Sequence, residues 1–311
     1  MRITDYSNKL FLKLQKKQVE RFDIKKKSGN LKGYEKYFLN VLRKLQPELS
    51  TALKNIDLST RQNDSNFALS DNVFVMWWQG VNSAPPLVKN NIKRMQNIFG
   101  EGNVHVVTSE NWEKYCSISN VIIQKFKSGK ISIAALSDVI RFSLLKRYGG
   151  LWIDSTVILS ENFNDYFSKY SNGNFFSISS QNEDYHYISR SRWAVWFIGG
   201  KPGYPLFDFV TSFYDTYFEK HEFLIDYYTT DDVIAYFYAK NGKFRQDVKA
   251  ISNDWKPYLW SSNMDKSYNI KMIDKFKNDY LYGVQKFTYK YDGSIARDSS
   301  TLLFTIIENE F

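Results

Sequence analysis

A chain of 311 residues, 43% hydrophobic and 17% aromatic, can bury a sizeable core, which excludes a globally disordered protein. The 42 Lys and Arg exceed the 33 Asp and Glu, and the formal charge of +9 favours an anionic partner: nucleic acid, an acidic membrane or a phosphate-bearing substrate. A single cysteine excludes an intrachain disulfide, and three histidines without metal-ligand spacing argue against an ordinary zinc site.

Residues 1–70 are predicted to form a helical N-terminal extension, followed by a main domain at 71–311. In the first lysine-rich segment, Leu10, Leu14, Val19 and Phe22 only loosely follow helical spacing. This extension has two interpretations: a solvated helical appendage packed on the main domain, or a basic amphipathic surface that binds anionic lipid headgroups. No stretch approaches the roughly 18 apolar residues of a membrane helix, so we expect a cytoplasmic protein, at most peripheral on the membrane.

The second helical segment of the extension has a clearer apolar face. Tyr37, Val41 and Leu45 recur at steps of four, which places them on one side of a helix. Pro47 is predicted to interrupt this helix, because proline lacks the backbone N–H that a helix interior requires. The polar stretch Ser59–Asn72 is predicted to be a linker to the main domain.

The main domain alternates short apolar runs with amphipathic segments. VFVMWW (73–78), NVHVV (103–107) and LWID (151–154) suit buried strands, and helical spacing separates them. This order predicts an α/β fold with a mostly parallel sheet and helices on both of its faces. Trp77 and Trp78 are neighbours in a predicted strand, so we expect at most one of them to face a cleft.

Three charged residues stand out in the apolar segment KISIAALSDVIRFSLLKRYGGLWIDSTVILS (130–160). Asp154 follows a buried strand and is therefore expected where ligands bind in open α/β sheets, as a ligand of a phosphate-bound divalent cation. Asp138 and Arg141 share one helix face, and burying both charges costs more than an intrahelical pair returns. We therefore expect them to face a polar cavity. The alternatives are a turn-capping aspartate and a simple ion pair.

The same segment resembles the core of bacterial capsular polysaccharide synthesis glycosyltransferases. These are related to sugar transferases with the pattern SD..R…GG.Y.D.D, a group that includes the large clostridial glucosylating toxins. Three further stretches agree with the capsular family in the same order: WWQGVNSAPPLVKNNI, WFIGGKPGYPLFDF and FLIDYYTTDDVIAYF. The resemblance covers 71–290 and implies a GT-A fold that binds a nucleoside diphosphate sugar with Mn²⁺ or Mg²⁺.

The resemblance also implies an activity. It points to a retaining hexosyltransferase that uses UDP-galactose or UDP-glucose as donor and a lipid-linked saccharide as acceptor, with the anionic inner membrane surface as a further partner. No nucleic-acid partner is expected, because no recognised nucleic-acid motif is present. The alternatives are a non-enzymatic protein that binds membranes or polyanions, and an aspartate-nucleophile phosphotransferase.

Individual residues receive roles from the resemblance. Asp154 matches the first carboxylate of the metal-binding Asp-x-Asp, whose second carboxylate is replaced by Thr156; both are expected metal ligands. A late histidine ligand of some relatives is also missing, and Gln285 lies near its place. The implied catalytic residues are Asp138, Arg141, Asp231 and Asp232, although acids at a helix start also suit the helix dipole. The implied nucleotide-sugar contacts are Trp77, Trp78, Gln79, Asp138, Arg141, Asp154, Ser155, Lys286 and Lys290.

Overall fold

The computed structural model describes residues 3–25, 29–58, 67–170, 174–180, 183–251 and 254–308. Within these ranges the chain forms seven strands: β1 (Val73–Met76), β2 (Val104–Val107), β3 (Gly150–Ile153), β4 (Val157–Leu159), β5 (Phe175–Ser177), β6 (Phe197–Gly200) and β7 (Val284–Lys286).

The α-helices of the described residues surround these strands. They are α1 (Ile3–Lys25), α2 (Leu31–Lys54), α3 (Pro86–Phe99), α4 (Trp112–Tyr115), α5 (Asn120–Lys127), α6 (Ile133–Tyr148), α7 (Phe163–Tyr170), α8 (Pro205–Lys220), α9 (Thr229–Lys240), α10 (Gly242–Ala250), α11 (Ile270–Asn278), α12 (Gly293–Arg297) and α13 (Leu302–Glu308). Short 3₁₀ helices lie at Leu69–Asp71, Val81–Ser83, Glu101–Asn103, Ser261–Asn263 and Tyr280–Tyr282.

Five strands form a central sheet in the order β2-β1-β3-β6-β5. β1 pairs in parallel with β2 and β3, whereas β6 runs antiparallel to both of its neighbours. Four of the five strands therefore point the same way. This confirms a mixed α/β fold whose central sheet is mostly parallel.

Helices cover both faces of the central sheet. Phe74 and Trp152 point into a core shared with α2, α6, α8 and α9, while Val75 and Ile153 point into a second core shared with α3 and α7. This division follows from the two-residue period of a strand, which sends successive side chains to opposite faces. Strands buried on both faces explain why the apolar runs of the sequence are continuous.

The N-terminal helices share the main hydrophobic core. Tyr37, Val41 and Leu45 are buried, as their spacing predicts, and α2 packs against α8 and α9. The prediction that Pro47 interrupts the helix is wrong. Pro47 lies on the exposed side of α2, which continues to Lys54, and the burial of the neighbouring Leu45 and Leu49 stabilises the turns on either side of the lost hydrogen bond.

In α1 the apolar residues divide between core and surface. Leu12 and Val19 are buried, whereas Leu10, Leu14 and Phe22 are 45%, 59% and 45% exposed. None of the helices formed by the described residues combines the length and the apolar content that a membrane span requires. Residues 59–66 of the predicted linker lie outside the described ranges, and the domain boundary at 70/71 stays a prediction.

Two glycines at the junction of α6 and β3 allow the chain to turn from the helix into the sheet. Gly149 and Gly150 have φ angles of 65° and 92°, a region that favours glycine. A Cβ on Gly150 would lie 2.0 Å from the carbonyl oxygen of Asn72, and one on Gly149 would lie 2.5 Å from the Pro202 ring. The GG pair therefore permits the close approach of backbones that sets β3 beside β1 and places its carboxyl end next to α6.

The second sheet brings a late segment of the chain to the same place. β4 and β7 pair antiparallel, with Val157 opposite Lys286. Beside this pair, Phe287 N donates to Thr156 O at 2.9 Å. The turn at 154–156 and the segment that follows β7 consequently form adjacent walls.

Candidate active site

A cavity of about 1750 Å³ opens at the carboxyl ends of β1 and β3. Its volume exceeds that of ordinary small-molecule sites, roughly 300–1000 Å³. Most of the predicted site residues line it: Trp77, Trp78, Gln79, Asp138, Arg141, Asp154, Ser155, Thr156, Asp231, Lys286 and Lys290. Residues that the sequence separates by more than 200 positions therefore meet in one cavity.

Asp154 lies at the centre of a hydrogen-bond network at the end of β3. Its Oδ1 accepts from Trp152 Nε1 at 2.8 Å and from Arg141 Nη2 at 3.3 Å, and its Oδ2 accepts from Lys286 Nζ at 2.7 Å. Burial by itself raises the pKa of this carboxyl, but Lys286 and Arg141 outweigh burial and lower it below its ordinary value. Asp154 is therefore ionised at neutral pH.

Asp138 and Arg141 face the cavity from α6, as predicted. Arg141 Nη1 donates to Asp138 Oδ1 at 2.8 Å, and Thr230 Oγ1 donates to Asp138 Oδ2 at 2.7 Å. The Arg141 guanidinium stacks on the Trp152 ring at 4.8 Å and also contacts Asp154. The pair is consequently part of a wider network, which the simple ion-pair interpretation does not describe.

Burial raises the pKa of the Asp138 carboxyl, and the charge of Arg141 offsets part of that effect. The carboxylates of Asp138 and Asp154 and the ammonium of Lys286 are half-buried, and the guanidinium of Arg141 is buried. Desolvating such charges is costly, and apolar residues of similar volume often give equal or greater stability. Perturbed titratable groups in a cleft are characteristic of functional sites. The network is therefore better explained by ligand binding than by stability.

Thr156 and Asp154, the two expected metal ligands, contact the same ammonium group. Lys286 Nζ donates to Thr156 Oγ1 at 2.8 Å and to Asp154 Oδ2 at 2.7 Å. Among the described residues, no group of three or more His, Cys, Asp or Glu side chains is arranged to hold a metal ion. One carboxylate surrounded by N–H donors does not fit a divalent ion held by the protein, and the expected Mn²⁺ or Mg²⁺ stays a prediction.

Gln285 does not take the place of a late metal ligand. Its side chain is fully buried, Nε2 donates to Lys256 O and Tyr282 O, and Oε1 accepts from Trp260 N. Alternate residues of β7 point to opposite sides, and Lys286 is the one that faces the cavity. Ser155 lines the cavity, and its carbonyl accepts from Asn91 Nδ2 at 3.0 Å.

Aromatic residues form the wall at the end of β1. Trp77 and Trp78 are both half-buried and both line the cavity, so the prediction that at most one faces it is wrong. The alternation of β1 continues through both residues, so that Trp77 packs against the core shared with α3 and Trp78 against the core shared with α6. The cavity is wide enough to border both side chains. Tyr289, next to the predicted contact Lys290, meets Trp77 edge-on with 5.2 Å between ring centroids. The segment after β7 thus reaches the wall predicted for the nucleotide base.

The two adjacent acids at the start of α9 occupy different environments. Asp231 lines the cavity and accepts a hydrogen bond from Trp193 Nε1 at 2.9 Å. Burial raises the pKa of Asp231 to about 7, and the Trp193 bond offsets only part of that effect. Asp232 is 1% exposed and does not line the cavity, and burial raises its pKa well above the ordinary value. The structure therefore brings Asp231, but not Asp232, to the other predicted residues.

Sequence reasoning missed three residues that position the carboxylates. Trp152 donates to Asp154, Thr230 to Asp138 and Trp193 to Asp231. The Trp152 contact has a sequence signal, because residues two apart along a strand lie on the same face. Thr230 and Trp193 have none, since they reach the site through the packing of α9 and of the loop before β6.

Comparison with known proteins agrees with the resemblance. A sequence model of the capsular polysaccharide synthesis protein family matches residues 18–305, which is most of the chain and includes every cavity residue described above. No curated protein and no solved structure matches significantly. The match over residues 18–305 is extensive enough to assign the chain, which belongs to the capsular polysaccharide synthesis protein family.

Proposed function

We propose that this protein is a GT-A glycosyltransferase that moves a hexose from a UDP-sugar to a lipid-linked saccharide in capsule synthesis. UDP-galactose and UDP-glucose are the proposed donors, and transfer proceeds with retention at the anomeric carbon. Family membership supports a role in capsule synthesis. The resemblance of the 130–160 segment to sugar transferases supports the reaction class.

One observation carries the proposal: Asp138, Arg141, Asp154 and Lys286 form a continuous charged network in a cavity of about 1750 Å³ at the end of β3. In open α/β sheets this end of a strand is where nucleotides bind. A nucleotide sugar presents a diphosphate and several hydroxyl groups. The cations of the network can bind the diphosphate, and its carboxylates can accept hydrogen bonds from the hydroxyl groups.

The proposed chemistry is mainly electrostatic. Departure of UDP leaves negative charge on the diphosphate, and preorganised cations stabilise that charge in the transition state. Lys286 and Arg141 supply these cations. Asp138 orients the sugar by accepting its hydroxyl groups, which lowers the entropic part of the barrier. Asp231 faces the same cavity from α9 and is proposed to lie near the anomeric carbon.

The test is release of UDP from a panel of UDP-sugars, measured with Mn²⁺ and separately with EDTA. Wild-type protein should hydrolyse one donor slowly, and Asp154→Asn should lower the rate about 100-fold or more, the usual scale for losing one preorganised electrostatic group. Asp265→Asn, on an exposed turn outside the cavity, is the matched control. Unchanged activity in Asp154→Asn would remove Asp154 from the mechanism.

The same assay addresses the other hypotheses. Failure of every UDP-sugar under both conditions would favour a protein that only binds membranes or polyanions. An aspartate-nucleophile phosphotransferase requires a second acid two residues after the nucleophile, and that position is Thr156, whose hydroxyl contacts Lys286. The geometry therefore supports sugar transfer over phosphoryl transfer.

A further inference from the structure

Lys286 lies where a divalent ion shared by Asp154 and Thr156 would bind. Its Nζ is 2.7 Å from Asp154 Oδ2 and 2.8 Å from Thr156 Oγ1. Mg²⁺ binds its oxygen ligands at about 2.1 Å, so an ion between these two oxygens would overlap with the ammonium group. The ammonium and the ion are therefore alternatives at this position.

The backbone holds Lys286 in place from both sides. Its N–H donates to Pro257 O at 2.7 Å, and the next residue, Phe287, donates to Thr156 O at 2.9 Å. Lys286 is also opposite Val157 in the β4–β7 pair. The side chain is 19% exposed and Nζ lies 5.7 Å from the Trp196 ring centroid. Strand pairing thus directs this side chain to the carboxylate, whereas a surface lysine samples many positions.

The remaining groups around Asp154 also favour an ammonium over a metal ion. Both carboxylate oxygens accept hydrogen bonds, and the donors include the guanidinium of Arg141. A divalent ion on Asp154 would lie a few ångströms from two positive charges, with Asp138 as the other nearby carboxylate. An ammonium has three N–H donors, of which Asp154 and Thr156 accept two. The third is available for a phosphate oxygen.

We propose that the ammonium group of Lys286 replaces the divalent metal ion at Asp154, so that the protein binds the diphosphate of its donor without metal. This inference rests on the proposed function. It accounts for Thr156 in place of the second carboxylate: a single positive charge needs one carboxylate and one neutral acceptor, whereas a divalent ion is better balanced by two carboxylates.

UDP affinity, measured by calorimetry with EDTA and with Mn²⁺, tests the proposal without relying on turnover. Wild-type affinity should agree within about twofold under the two conditions. Lys286→Met should weaken UDP binding about tenfold or more in EDTA, the scale of one hydrogen bond to a charged group. Mn²⁺ should restore part of the lost affinity, because the variant leaves Asp154 and Thr156 without the ammonium group. Lys286→Arg should retain binding in EDTA. Lys277→Met, on α11 outside the cavity, is the control, and thermal unfolding verifies that each variant folds.

Electron paramagnetic resonance of Mn²⁺ provides an independent readout. With wild-type protein and UDP, the Mn²⁺ spectrum should be that of the free ion and its UDP complex. With Lys286→Met and UDP, the spectrum should be that of an ion immobilised on the protein. UDP binding that requires Mn²⁺ in the wild type would overturn the proposal and leave the sugar-transferase function intact. Absence of UDP binding under both conditions would overturn both.

Discussion

Asp231→Asn removes a carboxyl group that folding makes hard to ionise. Asp231 lines the cavity at the start of α9, and burial raises its pKa from 3.8 to about 7 although Trp193 donates a hydrogen bond to it. In the unfolded chain the pKa returns to its ordinary value. At a pH between the unfolded pKa and the folded pKa, the Asp231 carboxyl is therefore protonated in the folded protein and ionised in the unfolded chain.

The sign of the effect on stability follows from this difference. An acid whose pKa is raised by folding lowers the free energy of unfolding as pH rises from the unfolded to the folded pKa, because ionisation is easier in the unfolded chain. A shift of about three pH units corresponds to about 4 kcal/mol at full burial. Asp231 is half-buried, and solvent in the cavity reduces the expected penalty to about 1–3 kcal/mol.

Urea unfolding of the wild type and Asp231→Asn at pH 5 and pH 8 measures this penalty. Relative to the wild type, the variant should be about 0.5–2 kcal/mol more stable at pH 8 than at pH 5, because asparagine has no charge to desolvate. The part of the penalty that develops between pH 3.8 and pH 5 is already present at the lower pH. Asp265→Asn, on an exposed turn, is the control for loss of one carboxylate. If the difference between Asp231→Asn and wild type is the same at both pH values, Asp231 does not titrate as described.

Two further predictions concern the backbone and the surface. Gly150→Ala should lower the melting temperature by about 10 °C in a thermal scan, because its Cβ would lie 2.0 Å from Asn72 O at a φ of 92°. Gly102→Ala, with open space around its Cβ, should change the melting temperature little. Equal melting temperatures for the two variants would contradict the close approach. Replacing the exposed Leu10 and Leu14 of α1 by serine should reduce sedimentation with anionic liposomes and leave UDP release unchanged. The control Ile270→Ser, on α11, should change neither measurement. Undiminished sedimentation of the α1 variant would exclude α1 as the membrane-binding surface.

Periodicity and charge placement in the sequence were sufficient for the coarse fold and part of the site. Continuous apolar runs indicated strands buried on both faces, and an Asp–Arg pair on an apolar helix indicated a polar cavity beside it. Both signals are local, because they depend on residues a few positions apart. The same local reasoning failed at Pro47, where the packing of Leu45 and Leu49 outweighs the lost hydrogen bond. It also failed at Trp77 and Trp78, which pack against opposite cores and yet both border the wide cavity.

The sequence by itself determined the alternation of helices and strands and the position of Asp154 at a strand end, because backbone preferences and hydrophobic spacing act over short distances. Only the tertiary structure decided which partners Asp154 has. Lys286 reaches it from 132 positions away through the β4–β7 pair. Thr230 reaches Asp138 across 92 positions because α6 and α9 both pack on α8. Contacts between distant segments depend on strand pairing and helix packing, which the short-range patterns of a single sequence do not specify.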